Sequence, residues 1–301
     1  MMAKNAEMLA KVRQANGFIA ALDQSGGSTP GALKGDGYKG DEWSSDEEMF
    51  DLIHKMRTRI VTSPAFTGDK ILGAILFERT MDGDANGTPV PEYLWSKGVV
   101  PFLKIDKGLA DEANGVQLMK PMPDLDALLE RGVQKGMFGT KERSVIHLAN
   151  PAGIAEVVSQ QFEVADQVLR HGLVPIIEPE VSIKSPERAQ ADVILRDEIL
   201  RHLDRLPDGQ EVMLKLSIPA TPGTFDPLIK HPRVLRVVAL SGGFSRADAC
   251  TELARNPGMI ASFSRALLSD LRQDMDAETF DRSLSEAIDE IYEASTEKVA
   301  A

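Results

Sequence analysis

Eight short apolar segments recur along the chain, and they limit its fold more than any other feature of the sequence. Each has the length and aliphatic content of a buried strand, and stretches with helical periodicity alternate with them. The predicted strands cover residues 17–23, 70–78, 99–106, 143–148, 173–178, 212–217, 234–240 and 259–263. Eight buried strands alternating with helices predict an α/β fold, the (β/α)8 TIM barrel.

Helical patterns flank the predicted barrel at both ends of the chain. Residues 1–14 have an amphipathic pattern that predicts an extra N-terminal helix, and a long helical pattern follows the eighth strand. A length of 301 residues suits one barrel domain over 1–301. An open doubly wound sheet also alternates strands and helices, but no G-x-G-x-x-G motif follows the first strand.

Composition restricts the class of partner and the compartment. The 34 basic and 46 acidic residues give a net charge of -12, which argues against nucleic acid or an anionic membrane as the main partner but not against a small anion. The single cysteine, Cys250, excludes an internal disulfide and fits a reducing compartment. Residues 1–14 lack the apolar core of a signal peptide, and no run of about 18 apolar residues occurs. We expect a soluble, cytoplasmic protein.

Charged residues lie on the inward faces of the predicted strands, which in a parallel barrel should be almost wholly apolar. Most are near the C-terminal strand ends, where barrels build active sites. These residues are Asp23, Lys104, Asp106, Glu178, Glu180 and Lys215. Mutual ion pairing can explain any one of them, and it is the default interpretation of Asp106 with Lys104 or Lys107. It explains the whole set less well.

Lys215 stands in the middle of the sixth strand. Alternation places Met213, Lys215 and Ser217 on one face. Desolvation and a neighbouring cation both favour the neutral amine, which can attack a carbonyl. For this strand alone, a lysine that extends its ammonium out of a strand end is the simpler interpretation.

Two further pairs of charged residues bear on the chemistry of Lys215. Glu178 and Glu180 share a strand face, so that one of them is suited to general acid-base work. Lys141 and Arg143 are likewise two apart, and a cation near Lys215 would keep it neutral. Both lie at the start of the predicted fourth strand, the wrong end for a barrel site, unless the strand begins near Phe138.

Two groups of residues are candidates for phosphate binding. Ser241, Gly242 and Gly243 follow the seventh strand, the usual barrel position for a phosphate, and Arg265 follows the eighth. Ser25 and Ser28, with Lys104, could hold a second phosphate across the barrel mouth. Ordinary turn chemistry is the alternative for the two serines.

The spacing of the histidines does not indicate a metal site. The five of them show no H-x-x-H, H-x-H or H-E-x-x-H spacing, the patterns typical of metal ligands. The sequence therefore predicts no metal site and no cofactor.

Taken together, the motifs resemble the class I, Schiff-base fructose-bisphosphate aldolases, most closely the short bacterial form. The likeness covers nearly the whole chain, and the matching segments occur in order: ALDQSGGSTP, ILGAILFE, VPFLKIDKG, NGVQLMKP, GTKERS, VPIIEPE, MLKLSIP, LSGG and SFSRAL. The resemblance implies a (β/α)8 barrel and the reversible cleavage of fructose 1,6-bisphosphate to dihydroxyacetone phosphate and glyceraldehyde 3-phosphate.

The resemblance also implies a role for each matching residue. Lys215 corresponds to the Schiff-base lysine and Glu178 to its acid-base partner, supported by Glu180, while Lys141 keeps Lys215 neutral. Asp23 resembles the carboxylate that orients the hydroxyl at the cleaved carbon. The implied ligands of the C1 phosphate are Ser241, Gly242, Gly243, Ser262 and Arg265. Those implied for the opposite end are Ser25, Ser28, Lys104 and Arg143.

Three departures from the larger animal-type enzymes stand out. Gln24 follows Asp23 where those enzymes have an acidic residue, and their arginine in the next loop has no counterpart, since Lys34 is a poor candidate. They also use a C-terminal tyrosine in proton transfer at the enamine. This chain ends in EKVAA, and its last tyrosine, Tyr292, lies in a predicted helix.

Two alternatives to this function stay open from the sequence. The same imine chemistry could act on tagatose 1,6-bisphosphate or another phosphosugar, because the shape of the pocket decides the substrate. A non-catalytic phosphosugar-binding protein could use the same barrel, with its charges serving only to bind. The oligomeric state is also open, and a homo-oligomer is compatible with the family.

Overall fold

Eight parallel strands form a nearly closed barrel in the computed structural model, which describes residues 2–24 and 29–299. The described residues also form three two-residue strands outside this set of eight. In chain order the strands are β1 (Phe18–Leu22), β2 (Ile71–Leu76), β3 (Asp84–Ala85), β4 (Thr88–Pro89), β5 (Val100–Lys104), β6 (Val116–Gln117), β7 (Gly139–Ile146), β8 (Val174–Val181), β9 (Val212–Ser217), β10 (Val234–Leu240) and β11 (Met259–Ala261). The three two-residue strands are β3, β4 and β6.

The helices alternate with the strands. They are α1 (Met2–Gln14), α2 (Thr29–Gly35), α3 (Asp46–Thr62), α4 (Glu78–Asp82), α5 (Val90–Ser96), α6 (Leu125–Gln134), α7 (Pro151–Arg170), α8 (Arg188–Leu203), α9 (Asp226–Ile229), α10 (Arg246–Ala254), α11 (Arg265–Leu268) and α12 (Ala277–Thr296). Both the extra helix before the barrel and the helical C-terminal part are present, as the sequence predicted. No helix within the described ranges is long and apolar enough to cross a membrane.

The barrel strands follow one another in the order β1-β2-β5-β7-β8-β9-β10-β11. Each hydrogen-bonded neighbour is parallel, while β6 adds to β7 antiparallel and β3 pairs with β4 in a small hairpin. Between the last strand and the first, the Ala21 N–H donates to the Phe263 carbonyl oxygen at 3.0 Å. This hydrogen bond brings the two ends of the sheet together, so the predicted (β/α)8 barrel is confirmed.

The core is divided by the alternation of side chains along each strand. Inside the barrel, Phe102 and Phe138 meet edge to face at 5.5 Å between ring centroids. Met8 and Val12 of α1 belong to this inner cluster, so α1 covers the N-terminal end of the barrel. The outward-facing residues form a larger core with the surrounding helices. At the N-terminal end Arg236 of β10 donates to the Val12 and Ala15 carbonyl oxygens, whereas the lysines and carboxylates that contact one another lie at the other end.

The fourth barrel strand, β7, begins four residues before the predicted start at residue 143 and ends at Ile146. A side chain at Gly139 would collide with the Val174 carbonyl oxygen and lie 2.9 Å from the Phe102 ring, so glycine lets β7 enter the sheet there. Lys141 is thus a strand residue facing the barrel interior. The start at residue 143 was wrong, and the alternative start near Phe138 is the one observed. Because charged residues follow closely after Gly139, the apolar pattern of the sequence did not indicate a strand there.

Candidate active site

A cavity of about 720 Å³ lies at the C-terminal ends of the barrel strands. It is lined by nearly all of the predicted site residues that the structure describes: Asp23, Lys104, Lys141, Arg143, Glu178, Glu180, Lys215, Ser241, Gly242, Ser262 and Arg265. Gly243 is adjacent, since the Arg265 Nη2 is 3.7 Å from the position that its Cβ would take. Ser25 and Ser28 lie outside the described residues.

The centre of the site is a carboxylate held between two lysines. Glu178 Oε1 lies 3.0 Å from Lys215 Nζ, and Glu178 Oε2 lies 3.0 Å from Lys141 Nζ. All three side chains are at most 5 % exposed. Because ion pairs are little screened when they are buried, the charge on each lysine acts strongly on Glu178 and, through it, on the other lysine.

Lys141 also contacts two further carboxylates. Its Nζ lies 2.7 Å from Asp23 Oδ2 and 3.8 Å from Asp106 Oδ2. Burial by itself would lower the pKa of Lys141, but the attraction of Asp23, Glu178 and Asp106 outweighs it and raises that pKa. Burial would raise the pKa of Asp23, but the charge of Lys141 and its contact at 2.7 Å hold that pKa well below the usual value. Lys141 is therefore a permanent cation and Asp23 a permanent anion at neutral pH.

The stagger of the strands places these residues at one level. Lys141 pairs in register with Lys104 at the end of β5 and with Ile176 on β8, and Arg143 pairs with Glu178. Because β7 extends well past the end of β5, its middle reaches the height at which β5 ends. Lys141 is thereby at the catalytic end of the barrel without being at the end of its own strand.

Two outer ion pairs flank this centre. Arg143 Nε donates to Glu180 Oε2 at 2.6 Å, and Lys104 Nζ donates to Asp106 Oδ1 at 2.7 Å. The second pair is the default pairing that the sequence predicted. Burial lowers the pKa of Lys104, with Asp106 opposing the shift. Burial also acts to lower the pKa of Arg143, but Glu180 outweighs it and raises the value.

Several potential hydrogen-bond donors lie together at the ends of β10 and β11. Gly242 has φ of 61° and Gly243 of 116°, left-handed values that turn successive backbone N–H groups towards one side. The Ser262 Oγ is buried and has no hydrogen-bond partner among the described residues. With Arg265 close to Gly243, this end offers backbone, hydroxyl and guanidinium donors to an anion.

Sequence reasoning missed Arg57, whose side chain is 0 % exposed. Its Nη1 donates to Thr80 Oγ1 at 3.0 Å and its Nη2 to the Gln24 carbonyl oxygen. Burial lowers the pKa of Arg57 to about 10, opposed by Asp23. The guanidinium thus supports the backbone just after Asp23. On the amphipathic helix α3 it looked like any solvent-facing arginine, and no local signal distinguishes it.

Asp36, Ser264 and Arg272 also line the cavity, and the sequence did not indicate them. Asp36 and Arg272 come from segments that follow α2 and α11, and only the tertiary fold brings them to the barrel mouth, whereas Ser264 lies three residues after β11. None of the three tyrosines lines the cavity. Tyr292 belongs to α12, and its ring lies beside Lys70, the residue just before β2. Residues 2–24 and 29–299 hold no cluster of His, Cys, Asp and Glu suited to a metal ion.

Comparison with known proteins decides the family. Residues 47–215 match the sequence model of the glycolytic fructose-bisphosphate aldolases of class I. The chain belongs to this family. It is 57% identical over 293 residues, 97% of each chain, to the fructose-bisphosphate aldolase class 1 of a Synechocystis species. The recognition made from the motifs is therefore confirmed.

Two solved structures share the fold. A Plasmodium falciparum fructose-bisphosphate aldolase, solved with TRAP and a small-molecule inhibitor, has a TM-score of 0.80 at 20% identity, covering 99% of this chain and 96% of that one. A Corynebacterium glutamicum protein has a TM-score of 0.56 at 13% identity, covering 98% of this chain and 93% of its own. At these identities the likeness concerns the barrel alone.

Proposed function

We propose that this chain reversibly cleaves fructose 1,6-bisphosphate to dihydroxyacetone phosphate and glyceraldehyde 3-phosphate through a Schiff base on Lys215. The observation that carries the proposal is the position of Lys215 Nζ, 3.0 Å from Glu178 and buried in the cavity at the barrel mouth. An amine that must form an imine needs an acid-base group within hydrogen-bonding reach. Glu178 meets that requirement.

Lys141 supports the reactivity of Lys215 by carrying the positive charge of the pair. Three carboxylates around Lys141 raise its pKa, so it holds its proton throughout the neutral range. Lys141 Nζ and Lys215 Nζ contact different oxygens of Glu178, so the two side chains share one carboxylate. Only the uncharged amine has the lone pair that attacks a ketone.

The proposed reaction begins with attack of Lys215 Nζ on C2 of the ketose. Glu178 transfers the protons needed to form the carbinolamine and to expel its hydroxyl as water, which leaves an iminium. Asp23 orients the C4 hydroxyl, whose proton passes to the Glu178 carboxylate left after dehydration, and the C3–C4 bonding electrons move towards the iminium nitrogen. The product is a neutral enamine instead of an unstabilised carbanion. Hydrolysis after protonation of C3 returns the free lysine.

The two phosphates bind at opposite sides of the cavity in this proposal. The C1 phosphate lies against Ser241, Gly242, Gly243, Ser262 and Arg265, while Ser25, Ser28, Lys104 and Arg143 serve the other end. The left-handed glycines and the unpartnered Ser262 hydroxyl support the first assignment. The pairing of Lys104 and Arg143 with carboxylates holds their side chains at the cavity wall and supports the second.

The proposal places the enzyme in the cytoplasm, with a phosphosugar as its ligand and neither nucleic acid nor a membrane as a partner. The net charge of -12 supports this, since it disfavours polyanionic partners. Every residue given a role belongs to one chain, so the chemistry requires no homo-oligomer. Light scattering on the purified protein measures whether copies associate.

A steady-state cleavage assay tests the function. Lys215→Met removes the nucleophile and should abolish turnover, while Lys230→Met, at a side chain 77% exposed, is the matched control. Comparing kcat/KM for fructose and tagatose 1,6-bisphosphates identifies the preferred epimer, and EDTA should leave the rate unchanged. Wild-type protein that binds the bisphosphate without turnover would instead favour the non-catalytic alternative.

A further inference from the structure

The cavity continues beyond the barrel mouth into a side chamber between α2, α3 and the segment after β11. This side chamber is lined by Ala32, Asp36, Met56, Ile60, Leu268 and Arg272. Its walls are apolar except for one acid and one arginine. None of these residues has a part in the reaction proposed above, although the chamber opens directly onto the site.

Arg272 differs in its ion pairing from most of the cations that line the cavity. Lys104, Lys141, Arg143 and Lys215 each have a carboxylate oxygen within 3.0 Å. In the described part of the chain, Arg265 and Arg272 have no carboxylate oxygen even within 4.0 Å. Asp36 lies near enough for the charge of Arg272 to oppose the rise in its pKa that burial causes, but neither arginine contacts a carboxylate of the described residues, and an anionic ligand could therefore bind both.

The segment that carries Arg272 is fixed from behind by Arg59. The Arg59 guanidinium donates to the carbonyl oxygens of Gln273 at 3.0 Å and Met275 at 2.5 Å, and it lies 4.0 Å from the centroid of the Phe280 ring. The Gln273 N–H donates to the Asp36 carbonyl oxygen at 2.7 Å. The backbone at Arg272 is therefore held by α3 and by the residue that follows α2.

The Arg272 side chain uses only one edge of its guanidinium on its own segment. Nη1 donates to the carbonyl oxygens of Ser269 at 2.7 Å and Leu271 at 2.6 Å. Nε and Nη2 donate to no group among the described residues. An arginine that is anchored through one nitrogen and presents its others to a cavity is pre-organised for an anion.

Charge balance at the C1 phosphate end indicates which anion. A phosphate ester carries about -1.5 to -2 charges at neutral pH. At the ends of β10 and β11, the assigned ligands supply a single full positive charge, that of Arg265. A second arginine on the same segment, seven positions later, would complete the neutralisation.

We propose that Arg272 is a substrate-binding residue that neutralises the C1 phosphate together with Arg265. The proposal rests on the function proposed above. In this arrangement Arg265 contacts the phosphate from the Gly243 side and Arg272 from the side chamber. Substrates that carry the C1 phosphate therefore need both arginines, whatever group they carry at C6.

Arg272→Gln and Arg272→Lys test this role, with Arg282→Gln on α12, whose side chain is 57% exposed, as the control. Fructose 1,6-bisphosphate and fructose 1-phosphate are the substrates, because both carry the C1 phosphate. Loss of a hydrogen bond to a charged group predicts a KM about 10- to 100-fold higher for both, with kcat within about threefold. Arg272→Lys keeps the charge and should recover part of the loss.

Three results would overturn the proposal. They are an unchanged KM in Arg272→Gln, a KM raised for the bisphosphate alone, and a lower kcat at constant KM. If Arg272→Gln does not fold, the KM of Arg272→Lys decides, since an unchanged value for both substrates also overturns it. A wild-type protein that cleaves neither substrate contradicts the function proposed above, which is a separate failure.

Discussion

Lys141→Met removes the cation that three buried carboxylates share, and the structure sets the expected cost. Lys141 Nζ lies 2.7 Å from Asp23 and 3.0 Å from Glu178, with 2 % of its side chain exposed. Removing one partner of a buried ion pair destabilises a protein by about 3–5 kcal/mol, because the other charge stays buried and uncompensated. We expect a loss of unfolding free energy in that range at pH 8.

The pH dependence of this loss identifies its cause. In the wild type the pKa of Asp23 is depressed, so its stabilisation is present above the unfolded value of about 3.9 and is lost only as pH falls through the folded value. Without Lys141, burial dominates and the pKa of Asp23 rises above the unfolded value. Ionisation of Asp23 then lowers stability as pH rises. The difference between variant and wild type should therefore shrink between pH 8 and pH 4.

Urea unfolding at pH 4, 6 and 8 measures this difference. Lys141→Arg keeps a cation and should retain most of the stability, while Lys230→Met, at an exposed side chain 3.7 Å from Asp226, should match the wild type. A loss below about 1 kcal/mol at pH 8, or one that is equal at all three pH values, would refute the electrostatic account of Lys141.

Three other changes probe separate parts of the structure. Glu178→Gln keeps the shape of the acid-base group but not its proton transfer, so steady-state kinetics should show kcat lower by about 10²–10⁴-fold and KM little changed. Burial raises the pKa of Asp192, which accepts from the Ala220 N–H at 2.8 Å, to about 6. Its stabilising effect is therefore present below the unfolded pKa of about 3.9 and is lost as pH rises to about 6. Asp192→Asn is neutral at every pH, so its free energy of unfolding in urea should rise by about 2–3 kcal/mol relative to that of the wild type between pH 4 and pH 7. A difference that stays constant over this range would contradict the prediction. Arg143→Met should raise KM for fructose 1,6-bisphosphate about tenfold or more and leave that for fructose 1-phosphate unchanged, whereas equal effects would place Arg143 at the other phosphate.

The barrel was predictable because its strands are apolar on both faces for most of their length. The segment Val234–Leu240 has the predicted bounds, since it is uninterrupted by charge on its outward face. β7 was misplaced because Lys141, Glu142 and Arg143 break the apolar pattern. Lys141 and Arg143 are paired with carboxylates that follow β1 or lie on β8, which no local window contains.

In the candidate site, charged residues on the strands could be predicted, whereas some residues far from them could not. Charged residues within the strands, such as Glu178 and Lys215, could be chosen from the sequence because the barrel architecture predicts where inward-facing side chains converge. Arg57 and Arg272 could not, because each belongs to a segment outside the strands and reaches the site only through tertiary packing. From spacing alone the sequence predicted that Asp106 pairs with Lys104 or Lys107, and Lys104 is the partner observed. The contact of Asp106 with Lys141 requires the register of β5 and β7.

Borohydride trapping tests the identity of the nucleophile most directly. The protein is incubated with dihydroxyacetone phosphate, reduced with sodium borohydride and digested, and the modified peptide is sequenced by mass spectrometry. The account predicts one stable adduct, on Lys215, and its loss in Lys215→Met but not in Lys230→Met. An adduct on another lysine such as Lys141 or Lys104, or no adduct in a protein that cleaves the bisphosphate, would contradict it.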